Sequence, residues 1–135
     1  MDQITDSIWI GNHLDAADKR AQKAAGIKAV LCLDGCMNGN SAAEAGVERV
    51  EVLELIDGKG NRPEKFLRAV RFLRELVAKR SRVLVHCHAG QSRSAAVVCK
   101  YFMQVDGDSL GEAMKRITGK RRVAIVAGLQ EALDF

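Results

Sequence analysis

Two short apolar runs do most to restrict what this chain can become. Ile27 to Leu33 reads IKAVLCL, and Arg82 to His86 reads RVLVH. Both have the length of a strand, and neither alternates as a strand with one wet face would. Such runs suit strands buried on both faces of a parallel sheet. Parallel neighbours need crossover connections, and the stretches around these runs are patterned as helices.

The remaining segments fit that frame. Ser7 to Gly11 (SIWIG) is a short strand signal, and Asp15 to Ala25 is rich in helix formers and stops at Gly26. Asp34 to Ala45 holds Gly35, Asn38, Gly39 and Asn40 and reads as a loop with room for one helical turn. Val47 to Ile56 (VERVEVLELI) alternates and predicts a half-buried strand. Asn61-Arg62-Pro63-Glu64 predicts a helix start, with Asn61 as N-cap and Glu64 closing a capping box. Phe66, Val70, Leu73 and Val77 then line one face of that helix. Ser94 to Val105 reads as an apolar helix, and Ser109 to Glu112 is a second capping box opening a helix to about Ile117. The tail from Val126 to Phe135 also reads as helix. The expected class is α/β, with a central, mostly parallel sheet flanked by helices.

Composition bounds the rest. The chain has 135 residues, which predicts a single domain spanning 1–135. No apolar run approaches the roughly 18 residues of a membrane span. Met1-Asp2-Gln3 opens no basic-then-apolar signal, so a cytoplasmic protein is expected, with a monomer favoured. One proline and six aromatics argue against a β-sandwich with Pro-rich turns. Cys32, Cys36, Cys87 and Cys99 are expected to be free thiols in a reducing compartment, with Cys32 and Cys99 in the core. Charge is lopsided: residues 1–57 carry a net −5 and residues 58–135 a net +9. A basic half points to an anionic partner or to a solvated face. Arg68, Arg71 and Arg74 read as solvated surface, whereas Lys115, Arg116, Lys120, Arg121 and Arg122 form a cluster placed to rim a site or meet such a partner.

Ligands of open α/β sheets bind beyond the carboxyl ends of strands. The RVLVH strand runs there into His86-Cys87-His88-Ala89-Gly90-Gln91-Ser92-Arg93-Ser94, followed by a helix. A cysteine facing a helix N-terminus sits in a positive field that lowers its pKa. The loop amides offer an anion nest. Arg93 presents a fork that matches two phosphate oxygens. Gly90 allows a positive φ, and the Ser94 hydroxyl can donate to the Cys87 sulfur. His86, Cys87 and His88 do not complete a zinc site, since zinc takes four ligands and His13 is the remaining histidine.

HCHAGQSRS resembles the active-site loop of the cysteine-based protein phosphatases, and its A-G-x-S-R-S ending most resembles the dual-specificity class. The likeness runs from about Ile8 to about Ile117, through IWIGN, the strand before Asp57 and the apolar helix AAVVCKYFM. It implies two-step hydrolysis of phosphotyrosine and of phosphoserine or phosphothreonine in proteins. In that scheme Cys87 is the nucleophile. Arg93 and the loop residues His88, Ala89, Gly90, Gln91 and Ser92 hold the phosphate, Ser94 supports the thiolate, and His86 braces the loop. Asp57, 30 residues before Cys87, is the implied general acid, with Asp34 as fallback. No metal or other cofactor is implied. Some relatives protect the nucleophile with a second cysteine, a role open to Cys36. RNA 5′-phosphates or phosphoinositides are alternative substrates, although the loop lacks the lysines of lipid-specific relatives. A weakly active phospho-binding module is a further alternative, disfavoured because cysteine, arginine and acid are all present. The end of the chain, RRVAIVAGLQEALDF, follows the family pattern only loosely.

Overall fold

The computed structural model describes every residue except Asn40 and Phe135, so the expected loop position of Asn40 and helix position of Phe135 lie outside it. The strands are β1 (Asp2–Gln3), β2 (Ile8–Gly11), β3 (Ile27–Cys32), β4 (Arg49–Val52) and β5 (Arg82–His86). They form one sheet in the order β1-β2-β5-β3-β4. Only the β1–β2 pair is antiparallel; β2 to β5, β5 to β3 and β3 to β4 are parallel. The two apolar runs are therefore adjacent central strands. Their register sets Cys32 opposite His86, while Gly11 faces His86 from the other side.

Helices cover both faces. They are α1 (His13–Ala17), α2 (Lys19–Ala25), α3 (Ala42–Ala45), α4 (Pro63–Ala78), α5 (Arg93–Asp106), α6 (Leu110–Thr118) and α7 (Ala127–Ala132). The larger core joins Ile8, Ile10, Leu31, Val83, Val85 and Cys87 of the sheet side to Phe66, Leu73, Phe102, Ile117 and Leu129 of the helices. The smaller core, on the opposite face, gathers Val30, Cys32, Leu84 and Met37. α5 is buried along its length from Ser94 to Phe102. The Lys100 ammonium donates to the Leu133 carbonyl at 2.8 Å, which ties α5 to the end of α7. Among the described residues, no helix is long and apolar enough to cross a membrane.

Several local expectations hold. Gly26 ends α2 in the left-handed region at φ 74°, and Ser109 and Glu112 form the reciprocal capping box that opens α6. Others differ. The helix expected over Asp15 to Ala25 is two helices, because Asp18 leaves helical geometry and caps α2 by accepting from the Ala21 amide. Asn61 is not an N-cap. Arg62 occupies that position without a side-chain cap, and Asn61 binds the backbone of Ile56 and Gly58 instead. Val77, placed on the apolar face of α4, is only half-buried, whereas Ala69, Phe72 and Leu76 are buried.

Candidate active site

β5 delivers Cys87 to the carboxyl edge of the sheet, and residues 87–92 curl back to the start of α5. The curl needs Gly90, whose φ is +66°. A Cβ there would stand 2.5 Å from the Gly11 carbonyl oxygen, so any side chain would push the loop off β2. α5 has no side-chain N-cap bond, which leaves its first amides available to an anion.

The loop carbonyls are held from outside. The His88 carbonyl accepts from the His13 backbone N–H at 3.0 Å, with His13 Nδ1 at 2.8 Å. The Gly90 carbonyl accepts from Arg121 Nε at 2.7 Å, and the Gln91 carbonyl accepts from the Ala124 N–H at 3.0 Å. A trans peptide is planar, with its N–H directed opposite to its C=O. Anchoring those carbonyls outward therefore turns the amides of Ala89, Gln91 and Ser92 inward. The His13 and His88 rings stack at 4.2 Å between centroids, which fixes the exposed His88 ring at the rim.

Cys87 is buried, and its Sγ lies 3.3 Å from Ser94 Oγ. Burial opposes its ionisation. The Ser94 hydroxyl and the backbone amides of Ser94, Gly90 and Ser92 outweigh burial and hold the thiol below its ordinary pKa. Cys99 shows the contrast: burial without donors pushes it up to about 12. Arg93 is braced by a long contact from Nη1 to the Leu55 carbonyl at 3.4 Å, and its buried Nε has no acceptor among the described residues.

A cleft of about 330 Å³ brings Asp57, Cys87, His88, Ala89, Gln91, Ser92 and Arg93 together with Ala124 and Val126. Such a site has a cysteine of lowered pKa, inward-turned amides, an arginine fork and the Asp57 carboxyl group at its wall. The family description "dual specificity phosphatase, catalytic domain" matches residues 8–133. The chain belongs to the dual specificity phosphatase family. The Arabidopsis thaliana protein-tyrosine-phosphatase IBR5 is 31% identical over 121 residues, which cover 87% of this chain and 43% of that protein. With 60% of the A. thaliana dual specificity protein phosphatase 1 covered, the chain spans about half the length of these curated relatives. Human DUSP28 shares the fold with a TM-score of 0.86 at 21% identity, over 98% of this chain and 92% of that one. PTPMT1 in complex with PI(5)P superposes with a TM-score of 0.78 at 26% identity, over 97% of this chain and 90% of that one.

In this member of the family the loop that carries Asp57 is built by residues that sequence reasoning assigns elsewhere. Asn61 accepts the Ile56 amide and donates to the Ile56 and Gly58 carbonyls, closing the loop around Asp57. Gly128 lets α7 approach this loop: a Cβ there would lie 2.6 Å from the Lys59 nitrogen. Asp57 itself is exposed at the cleft wall. Asp34, the fallback acid, is not among the residues lining that cleft; it accepts from the Cys36 amide and the Cys32 thiol.

Two other placements bear on what the sequence led one to expect. His86 faces away from the cleft, on the side of the sheet where Asp34 lies. Burial lowers its pKa, with the Asp34 charge and the Cys87 backbone pulling the other way. Its ring lies close enough to the Cys87 backbone for its pKa to be raised by it, although among the described residues neither ring nitrogen makes a hydrogen bond of sound geometry. Cys36 is free and neighbours Cys32, not Cys87. The basic cluster is partly committed to structure. Arg116 binds Asp106 and Asp108 and lies over the Phe102 ring, while Arg121 holds the phosphate loop and Asp2. Sequence reasoning missed His13, Ala124 and Val126 altogether. It saw Arg121 only as charge.

Proposed function

We propose that this chain is a single catalytic domain over residues 1–135 that hydrolyses phosphotyrosine and phosphoserine or phosphothreonine in proteins. The observation that carries the reading is the lowered Cys87 thiol, 3.3 Å from Ser94 Oγ, in one cleft with Arg93 and Asp57. In the first step the Cys87 thiolate attacks phosphorus in line. The S–P bond forms as the P–O ester bond breaks, and the Asp57 carboxyl protonates the departing oxygen. Arg93 and the amides of residues 88–92 share the three equatorial oxygens, where transition-state charge is spread. In the second step the Asp57 carboxylate takes a proton from water, the water oxygen bonds phosphorus, and the S–P bond breaks. Ser94 donates to the sulfur as it regains its charge. Inorganic phosphate then leaves, and Asp57, protonated again by that water, is ready for another cycle.

The test is turnover of an aryl phosphate by wild-type and Cys87→Ser chains, followed by a panel of substrates. Turnover should vanish in Cys87→Ser while orthovanadate or tungstate still binds. Retained turnover would overturn the mechanism. The likeness to PTPMT1 in complex with PI(5)P favours one second reading, a phosphoinositide substrate. A panel of phosphotyrosine and phosphothreonine peptides, phosphoinositide and 5′-phosphorylated RNA decides between them by kcat/KM.

A further inference from the structure

A second cluster of reactive side chains lies beyond the cleft of Cys87. Cys32 ends β3, Asp34 and Cys36 follow it, and β5 ends at His86. The β3–β5 register sets Cys32 and His86 side by side, and paired residues of neighbouring strands share a face of the sheet. The ligand atoms of Cys32, Asp34, Cys36 and His86 all lie within 4.8 Å of one another.

His86 makes this more than a polar loop. Its side chain is wholly buried, and both ring nitrogens lack a hydrogen bond of sound geometry. The strand register sets it beside the Cys32 thiol, and the Cys36 thiol and Asp34 carboxylate belong to the same 4.8 Å cluster. We infer that Cys32, Asp34, Cys36 and His86 form a site for a thiophilic, tetrahedrally coordinated divalent cation of the zinc type, on the sheet face opposite the phosphate loop.

The donor set, the spacing and the access agree with this. Two sulfurs, one imidazole nitrogen and one carboxylate oxygen select a zinc-like ion over Mg²⁺ or Ca²⁺, which take oxygen ligands. Cys32 and Cys36 stand at a C-x3-C spacing, within the C-x2–4-C range of structural zinc sites. With Zn–S near 2.3 Å and Zn–N or Zn–O near 2.0–2.2 Å, a tetrahedron separates its ligand atoms by about 3.3–3.8 Å. The cluster needs to close by only about 1 Å, and Cys36 sits on a turn, not on a strand. Cys36 is exposed and borders a surface cleft of about 540 Å³ with His13, Met37 and Glu44, which gives an ion a way in. When the ion binds, the two S–H bonds break, their protons pass to solvent, and both sulfurs bond the ion. The site is independent of the phosphatase reading, because Cys87 and Arg93 take no part in it.

The experiment titrates Co²⁺, then Zn²⁺, into the reduced, metal-free chain in wild-type, Cys87→Ser and Cys36→Ala forms. One Co²⁺ per chain should bind in the wild-type and Cys87→Ser chains, with visible tetrahedral bands and a thiolate charge-transfer band. One equivalent of Zn²⁺ should bleach both, and Mg²⁺ should not. Changes to groups behind a metal's own ligands already cost about 10–100-fold in affinity, so Cys36→Ala should weaken binding by at least about tenfold and abolish the Zn²⁺-dependent rise in Tm. Cys36 is exposed, so that variant should keep the metal-free Tm of the wild type. Absence of the charge-transfer band, undiminished affinity in Cys36→Ala, or binding that disappears in Cys87→Ser would each overturn the site.

Discussion

Replacing Arg121 with alanine separates the geometry of the phosphate loop from its sequence. Arg121 is 13% exposed and donates from Nε to the Gly90 carbonyl at 2.7 Å and from Nη1 to Asp2 at 2.9 Å. A hydrogen bond from a charged group contributes about 1.5–3 kcal/mol. The Asp2 carboxylate is 45% exposed, so that pair adds at most a few tenths of a kcal/mol. The loss is then about 2 kcal/mol. At about 2.1 cal/mol/K per residue, a chain of 135 residues loses about 7 °C of Tm. The kinetic effect has a different origin. A freed Gly90 carbonyl lets its peptide plane rotate and turns the Gln91 N–H away from the phosphate oxygens. Outright loss of one oxyanion donor costs about 10²–10³ in kcat. The His88 and Gln91 carbonyls keep their own anchors, so a fall of about 10–100-fold in kcat/KM is expected. Arg121→Lys keeps the charge and loses the fork, and should behave more like alanine than like arginine. Thermal unfolding and steady-state turnover of an aryl phosphate measure both quantities. A normal kcat/KM beside a lowered Tm would refute the claim that outside anchors aim the loop amides. An unchanged Tm would refute the hydrogen bond itself.

Other outcomes follow from single residues. Ser94→Ala removes a donor that lowers the Cys87 pKa, so the pH at which iodoacetamide reacts at half its maximal rate should move up; no movement would sever Ser94 from the thiolate. In the wild type that midpoint should lie below the roughly 8.5 of a free cysteine. Gly90→Ala combines a strained φ of +66° with a Cβ 2.5 Å from the Gly11 oxygen, and should lose at least about 10² in kcat/KM; near-normal turnover would contradict the close approach of loop and β2. Asp57→Ala should slow substrates with poor leaving groups far more than activated aryl esters, and equal losses in a leaving-group series would point to another acid. Gly128→Ala should displace the Asp57 loop and lower kcat while leaving Cys87 alkylation unchanged, a split that would fail if α7 only sealed the core.

The parts of the fold visible in the sequence are those governed by local rules. IKAVLCL and RVLVH are strands because, apart from the exposed Lys28 and Arg82, nothing in them wants water on either face. Gly26 and the Ser109 capping box act within a single turn. Asn61 shows where such rules mislead: its amide satisfies three backbone groups of the Ile56–Gly58 turn, a better use of donors and acceptor than one N-cap bond. Asp18 broke a helix that composition made continuous, since its carboxylate competes locally for amides. Cys87, Arg93 and Ser94 were legible because one loop carries them all. Arg121, His13 and Ala124 were not, because they reach that loop from 31 or more positions away and act on backbone atoms. No periodicity records such contacts. The nearness of His86 to Cys32 likewise depends on strand register, which neither segment encodes alone.

The peptide planes clamped around residues 88–92 have a consequence for selectivity. Donors aimed in advance need little ordering when an anion arrives, so the loop pays almost no conformational entropy on binding. A cradle of that kind grips any tetrahedral oxyanion of the right size, whatever ester it carries. Discrimination among phosphorylated molecules must then come from the walls, where Asp57, His88, Ala124 and Val126 meet the rest of the substrate. Exchanging those wall residues should re-rank substrates while leaving affinity for free phosphate nearly unchanged.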